Sequence, residues 1–379
     1  MSVDARQWLQ RIHDLPLTGK IKIMNVCGGH ERSITMAGLR KALPDAIELV
    51  PGPGCPVCIC PEEDIYEAIQ LALNEDIILV AFGDMLRVPV NVKKTQARTM
   101  EQAKALGADI RPIASPAEAV RIAQENSHKP VVFFAAGFET TTAPVAAMLV
   151  ENMPDNLSLL LSGRLTWPAI SLLLESDQPG FDALIAPGHV ATIMGPEEWS
   201  FVVEKHQVPA AIAGFTSESL LAAMYSVLRQ LIEKRFFLDN CYPQLVREGG
   251  NTSAQKCLHQ ALDVYDANWR GVGIIPHSGF KLNQTYARYD ARKIYPSYKD
   301  EARKRAGQMP AGCDCAKVVM GKIYPNECRL FGCGCEPSRP IGPCMVSDEG
   351  ACRIWWSSGL RTPVNKNTDS ARINAKHSA

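Results

Sequence analysis

At 379 residues the chain is long enough for two or three compact domains, each burying its own core. Apolar residues make up 46% and charged residues 21%, as in an ordinary folded protein and unlike a disordered one. Lys plus Arg and Asp plus Glu balance at 40 each, which excludes a strong electrostatic footprint for nucleic acid or an anionic membrane. The opening Met-Ser-Val-Asp-Ala-Arg-Gln-Trp lacks the basic-then-apolar pattern of a secretory signal, and no apolar run approaches the length of a membrane span. The sequence therefore reads as a cytoplasmic protein with neither nucleic acid nor membrane as partner. Its 13 cysteines cannot all pair. Disulfide frameworks belong to oxidising compartments, and in a reducing one clustered cysteines are more often metal ligands or redox thiols.

One pattern recurs along the first 240 residues: an apolar run, a glycine-containing turn, then a helix-like stretch. Runs at 21–26 and 47–50 precede Cys27-Gly28-Gly29-His30 and Pro51-Gly52-Pro53-Gly54. Run 77–82 precedes Gly83-Asp84, and run 131–136 precedes Gly137-Phe138-Glu139. Runs 183–186 and 210–213 precede Pro187-Gly188-His189 and Gly214-Phe215. Short strands separated by helical segments predict parallel βαβ units, and hence an α/β fold. Helix-like stretches cover 33–43, a segment opened by Pro61, Glu62, Glu63 and Asp64, and another opened by Ser217 and Glu218. The domain division expected is one α/β unit over 1–128, a second over 129–240, and a loop-rich remainder over 241–379. That remainder is richer in Cys, Pro, Gly and aromatics, has few strand signals, and reads as held by something other than a large apolar core. The polar tail after about residue 361 is expected to be mobile.

Two thiol motifs follow the first two strands. Cys27 lies where ligands gather in open α/β sheets, outside the carboxyl end of a strand. A place near a helix amino terminus favours the thiolate. Gly28 and Gly29 allow close approach of a bound group, and His30 could exchange a proton there. The competing reading is a structural cysteine in a tight turn. Cys55-Pro56-Val57-Cys58 permits either a disulfide or shared metal ligation, and Ile59 excludes a haem attachment site. With Cys27 on a neighbouring strand end, redox or metal chemistry is favoured. Cys60 reads as a bystander.

Seven cysteines fall between 313 and 352: Cys313, Cys315, Cys328, Cys333, Cys335, Cys344 and Cys352. Structural zinc usually presents two Cys-x2–4-Cys knuckles, and no such pair of knuckles is present, Cys313-x-Cys315 and Cys333-x-Cys335 being too tight. Irregular spacing suits an iron–sulfur cluster, which takes ligands from separated loops. Cys241 and Cys257 read as buried thiols.

These motifs resemble those of the HypD family of hydrogenase maturation factors over about residues 18–358. The resemblance is carried by Met24-Asn25-Val26-Cys27-Gly28-Gly29-His30-Glu31 and Gly52-Pro53-Gly54-Cys55-Pro56-Val57-Cys58. Further matches are Gly137-Phe138-Glu139-Thr140-Thr141-Thr142, Ala186-Pro187-Gly188-His189-Val190, and Met345-Val346-Ser347-Asp348-Glu349-Gly350-Ala351-Cys352. The family's pattern Cys-x14-Cys-x6-Cys-x16-Cys falls on Cys313, Cys328, Cys335 and Cys352.

The resemblance implies two Rossmann-like parallel-sheet domains beside a loop-rich C-terminal iron–sulfur domain, with a 4Fe–4S cluster on those four cysteines. It implies that Cys27 binds the iron being dressed as Fe(CN)2CO, and that Cys55 and Cys58 form a redox pair between that site and the cluster. A HypC-type chaperone would complete the iron site, a HypE-type protein would deliver cyanide, and a hydrogenase large subunit would receive the product indirectly. His30 would be a site histidine, with His189 and Glu349 as further candidates. For His189 a turn or capping role is the alternative, and Glu139 would instead satisfy donors in its threonine-rich turn. Cys315, Cys333 and Cys344 lie close enough to the cluster ligands for a swap to stay open. Two positions depart from the family: Arg32 replaces a usual second histidine, and Thr216 stands where an acidic residue is common. The first bears on proton supply or partner contact near Cys27, and the second removes any acidic role at 216. On this reading the protein is an assembly scaffold rather than an acid–base enzyme. The alternatives are a free-standing iron–sulfur thiol/disulfide oxidoreductase and a zinc-stapled binding module. A nucleotide site is weaker, since the glycine-rich turn has no Walker lysine.

Overall fold

The computed structural model describes residues 4–151, 153–298 and 309–361, and the polar tail lies outside them. Within these residues the strands are β1 (Ile21–Asn25), β2 (Ile47–Pro51), β3 (Ile78–Phe82), β4 (Ile110–Ile113), β5 (Val131–Gly137) and β6 (Leu157–Arg164). They continue as β7 (Ala183–Pro187), β8 (Ala210–Ala213), β9 (Leu238–Asn240), β10 (Leu262–Trp269) and β11 (Gly273–Leu282). One sheet has the order β2-β1-β7-β8-β9 and is parallel throughout. The other has the order β10-β11-β6-β5-β3-β4, parallel from β6 to β4, with the antiparallel β10–β11 hairpin along its far edge.

The α/β class and the parallel units expected from the sequence are present. Every residue of β5 and β7 is buried, the pattern of strands covered on both faces. Alternate residues of the first sheet enter two separate cores, Ile23, Leu49 and Ile185 on one face and Met24, Val50 and Leu184 on the other. The second sheet divides in the same way, with Leu79 and Phe134 opposite Val80 and Phe133.

The expected boundaries near 128 and 240 do not follow the sheets. β1 pairs with both β2 and β7, so the first sheet joins the start of the chain to residues 183–240. β3 and β5, on either side of residue 128, are neighbours in the second sheet. Apolar runs alone do not say which strands share a sheet, and here the chain builds β3–β6 before returning to the first. Residues beyond 240 also supply more strand than expected, because β10 and β11 extend the second sheet. Nor does the C-terminal lobe lack an apolar core. Val318, Phe331, Met345 and Trp355 share one with Leu79 and Phe134 of the second sheet. No helix of the described residues is long and apolar enough to cross a membrane.

Candidate functional site

Because β1 and β2 are adjacent and parallel, the turns that follow them meet at one edge of the sheet. The Gly52 N–H donates to the Asn25 carbonyl at 2.8 Å, and the Gly28 N–H to the Gly54 carbonyl at 3.1 Å. A Cβ on Gly54 would collide with the Cys27 backbone, and one on Gly28 with Glu349. Both positions need glycine for close approach. The helix after β1 is Gly28–Met36, with Cys27 itself as N-cap, and it resumes as Leu39–Ala42. It thus starts earlier than the stretch expected over 33–43, since the two glycines form its first turn.

A small cleft at this edge is lined by Asn25, Cys27, Glu31, Cys55, Cys344 and Glu349, with Val319 and Ala351 as apolar walls. Cys27 keeps part of its surface accessible. Burial and then the Glu349 carboxylate push its thiol up to about 12, outweighing the backbone hydrogen bonds from Gly29 and His30. The free thiol is therefore protonated at neutral pH, contrary to the thiolate expected at a helix start. Desolvation outweighs the helix terminus, and a bound metal would take the proton's place.

Cys55 and Cys58 are joined as a disulfide, with Cys55 at the cleft and Cys58 turned into the core on the short helix Pro56–Ile59. Cys60 is buried among core residues, its Sγ 3.5 Å from the Ser162 hydroxyl. It is not among the residues lining the cleft.

Glu349 stands exposed on the rim. Crowding by the surrounding protein, and then Asp84, raise its carboxyl to about 7, a rise that solvent access moderates. Sequence reasoning passed over Asp84, though Gly83-Asp84 was visible as a turn after a strand. The Ser347 hydroxyl donates to Asp84 at 3.0 Å and accepts the Glu349 N–H at 3.2 Å, which ties the end of β3 to the rim. Arg32 reaches 4.0 Å from Asp348 on the same rim, both side chains being exposed.

The two histidines lie elsewhere. His30 is fully buried, and its Nε2 lies 3.0 Å from the Ala213 carbonyl, so Nε2 carries the proton. Its Nδ1 has no partner, and burial lowers its pKa to about 4. Its ring lies 4.9 Å from that of Phe215, which stacks on His189 at 3.8 Å. Ser33 fixes that turn by donating to the Phe215 carbonyl at 2.8 Å. His30, on the Cys27 helix, and His189 thus pack on Phe215, and neither is among the residues lining the cleft. Thr216 caps the helix Ser217–Glu233, accepting the Ser219 N–H. Glu139 bonds a backbone donor of its own turn, its own N–H, and also reaches beyond the turn to accept the Thr166 N–H at 2.6 Å and the Thr166 hydroxyl at 2.7 Å.

A second small pocket is lined by Cys313, Cys315, Cys328, Cys335 and Cys352, with Leu330, Phe331 and Met345. The four cysteines expected to act together do converge, and Cys315 joins them. Cys333 is exposed and is not among the lining residues. Cys344 is fully buried, faces the cleft that holds Cys27, and its Sγ accepts the Cys352 N–H at 3.4 Å. Cys241 and Cys257, expected to be buried, are only partly so. Among the described residues no group of three or more His, Cys, Asp or Glu is arranged as around a bound metal ion. The donor set nevertheless fits an iron–sulfur cluster: soft thiols in an apolar pocket, with Gly342 at a point where a Cβ would strike the sulfurs of Cys313 and Cys315.

Fold and site together define an α/β protein whose chemistry belongs to converging thiols at strand ends. The profile described as "HypD: Hydrogenase formation hypA family" matches residues 4–359. The chain is 39% identical over 348 residues to hydrogenase maturation factor HypD2 of Bradyrhizobium diazoefficiens, covering 89% of each. It is 37% identical over 341 residues to a putative hydrogenase expression/formation protein of Methanocaldococcus jannaschii, covering 89% of this chain and 92% of the relative. With hydrogenase maturation factor HypD of Escherichia coli the identity is 36% over 344 residues, covering 89% and 88%. The chain belongs to the HypD family, whose members are named for hydrogenase maturation.

Proposed function

We propose that this chain is a redox-active scaffold on which the Fe(CN)2CO group of NiFe hydrogenases is assembled, with Cys27 holding the iron being dressed. One observation carries the reading. Cys27, the Cys55–Cys58 disulfide and Glu349 converge at one cleft, and Cys344 in its wall touches Cys352 of the second thiol pocket. A thiolate is a soft ligand suited to low-valent iron with π-acceptor ligands.

Cys313, Cys328, Cys335 and Cys352 would hold a 4Fe–4S cluster, which when bound supplies or accepts electrons one at a time. The chain's own residues do the rest. Opening the Cys55–Cys58 disulfide to two thiols takes two electrons and two protons. Glu349 and Asp84 stand where protons enter the rim, while Val319 and Ala351 keep water from the inner wall. His30 is committed to the Ala213 carbonyl and supports the helix that carries Cys27 rather than moving protons in the cleft. The iron is cargo: a HypC-type chaperone would complete its ligand set beside Cys27, a HypE-type protein would bring cyanide, and a hydrogenase large subunit would receive the product through the chaperone. Arg32 and Asp348 offer charged contacts for such a partner at the rim. The compartment is cytoplasmic on this reading.

The test is infrared spectroscopy of the anaerobically purified chain, co-produced with its small partner and the cyanide-delivery proteins. Bands of iron-bound cyanide and carbonyl are expected, and Cys27→Ala should remove them. Their absence from an intact, cluster-loaded complex would move the reading to a free-standing thiol/disulfide oxidoreductase that turns over without partners.

A further inference from the structure

A second set of contacts joins the two thiol pockets, and no thiol takes part in it. Glu31 sits four residues after Cys27 on the same helix and is 2% exposed. Its Oε2 accepts Arg40 Nη2 at 2.7 Å and Asn25 Nδ2 at 3.1 Å, and its Oε1 accepts Trp355 Nε1 at 2.7 Å. Trp355 belongs to the helix Ala351–Ser357, one turn after Cys352. The Arg40 guanidinium lies 5.1 Å above the Trp355 ring, and Tyr324 stacks on that ring with centroids 5.5 Å apart. The Tyr324 hydroxyl in turn donates to Glu48 on β2 at 2.5 Å.

This run spans the interface between the C-terminal lobe and the strand ends that carry Cys27 and Cys55. A carboxylate this deeply buried is held by directed donors, because losing one leaves an oxygen without solvent to replace it. Each donor also comes from a different place: β1, the helix Leu39–Ala42, and the helix that bears Cys352. Displacement of the Cys352 helix therefore pulls on Glu31, and through it on the first turn where Cys27 sits. Asn25 reports the same geometry from the other side. Its Nδ2 is fixed by Glu31 and the Val50 carbonyl, while its Oδ1 meets no donor and the residue lines the cleft.

We infer that Glu31 and Trp355 are positioning residues that couple occupancy of the C-terminal thiol pocket to the seating and accessibility of Cys27. This rests on the reading of that pocket as a cluster site. A stacked, hydrogen-bonded contact between two helices passes a shift of one to the other only while its polar link is intact. Trp355→Phe keeps an aromatic ring against Tyr324 and Arg40 but removes the N–H donor together with the indole's second ring. Glu31→Gln keeps the volume, misplaces at least one of the three donors, and so separates the two effects.

The experiment uses the full chain with and without iron and sulfide loaded anaerobically, and measures iodoacetamide alkylation of Cys27 by peptide mass spectrometry. Iron content is measured on the same samples. In the wild-type chain, loading should change the Cys27 rate about fivefold or more, the lower range of ordinary coupling between sites. In Trp355→Phe, with iron content retained, the loaded-to-unloaded ratio should fall to about one. A merely structural role would change both rates together and leave their ratio intact. A wild-type ratio persisting in both Trp355→Phe and Glu31→Gln overturns the coupling, as does a wild-type chain whose rate ignores loading. If Trp355→Phe fails to hold iron, Glu31→Gln decides, because it leaves the C-terminal lobe's own residues unchanged. A wild-type chain that takes up no iron overturns the cluster reading and this inference with it, whereas a lost ratio at full iron content speaks to the coupling alone.

Discussion

In the first sheet, β1 and β2 run into Cys27 and Cys55; in the second, β3 and β5 run into Asp84 and Glu139. The backbone device is the same in each case: a buried parallel strand, a tight glycine-containing turn, a helical start. What differs is the material packed over the turns. The C-terminal lobe covers the ends of β1 and β2, bringing Cys344, Ala351 and Glu349 against the Cys27 thiol and the Cys55–Cys58 disulfide. At the turn after β3 it supplies no such wall, but holds Asp84 through Ser347 and Arg87 through the Pro337 carbonyl. Glu139, at the end of β5, is fully buried and turned onto Thr166. Strand ends gather polar groups in any parallel sheet, and the covering lobe decides which of them meet a ligand.

The strongest way to break this comparison is to remove one of the cysteines that line the covering lobe's own pocket. Cys313→Ala should reduce iron from about four per chain to near background, as loss of one thiolate opens the cluster to solvent. Cys241→Ala, on the opposite edge of the first sheet, should retain full iron. Metal and sulfide analysis of anaerobically loaded protein decides the matter, and equal loss in the two variants would defeat the assignment of the pocket.

A smaller effect sharpens the contrast between the turns themselves. At Gly54 an added methyl meets the Cys27 backbone, which has nowhere to move under the lobe. Gly54→Ala should cost about 1–3 kcal/mol, as overpacking does elsewhere. At Gly83, after β3, an added methyl meets nothing within 4 Å. Gly83→Ala should stay within about 0.5 kcal/mol of wild type, or gain slightly from a less flexible unfolded chain. Thermal unfolding of the two variants at one protein concentration makes the comparison, and similar losses would mean that the lobe does not press on the first turn.

Those turns also mark where the sequence was informative. The strands at 131–137 and 210–213 were legible because each is an unbroken apolar run bounded by proline or glycine, and the strand at 47–51 because only Glu48 interrupts it before the proline. β4 was missed because Ile-Arg-Pro-Ile contains a proline, tolerated there because β4 is an edge strand. β10 and β11 were missed because they are half-exposed and carry many polar residues. Cys27, Cys55 and the convergence of the C-terminal cysteines could be read from spacing and from strand-end position. Asp84, Cys344 and the Glu31–Trp355 contact could not, since each depends on how a lobe more than 250 residues away docks on the sheet, as the separations of 263 and 324 residues show. His30 was legible as a neighbour of Cys27, but only the structure shows that its ring is committed to the Ala213 carbonyl.

The inward-facing carboxylate offers the mildest test, and one that needs no metal. Glu139 is fully buried, and its pKa is raised from the ordinary 4.5 to about 7, burial outweighing the hydrogen bonds from Thr166. Glu198, from the short turn Pro196–Trp199, lies close enough to repel it electrostatically and is itself raised, first by burial and then by Glu139. A carboxyl that binds its proton more tightly when folded contributes stability that is complete below pH 4.5 and is lost as pH rises toward 7. Across that window the wild-type chain should lose on the order of 1–3 kcal/mol from this site. Glu139→Gln carries no charge at any pH and can keep an acceptor for the Thr166 N–H and a donor for its hydroxyl. It should therefore flatten the slope, and it should also ease Glu198 downward by removing the charge beside it. Unfolding midpoints in urea from pH 4.5 to 8 would show the difference. A slope as steep in the variant as in the wild type would place the pH sensitivity elsewhere, and would leave the end of β5 as a purely structural counterpart to the cysteine-bearing ends of β1 and β2.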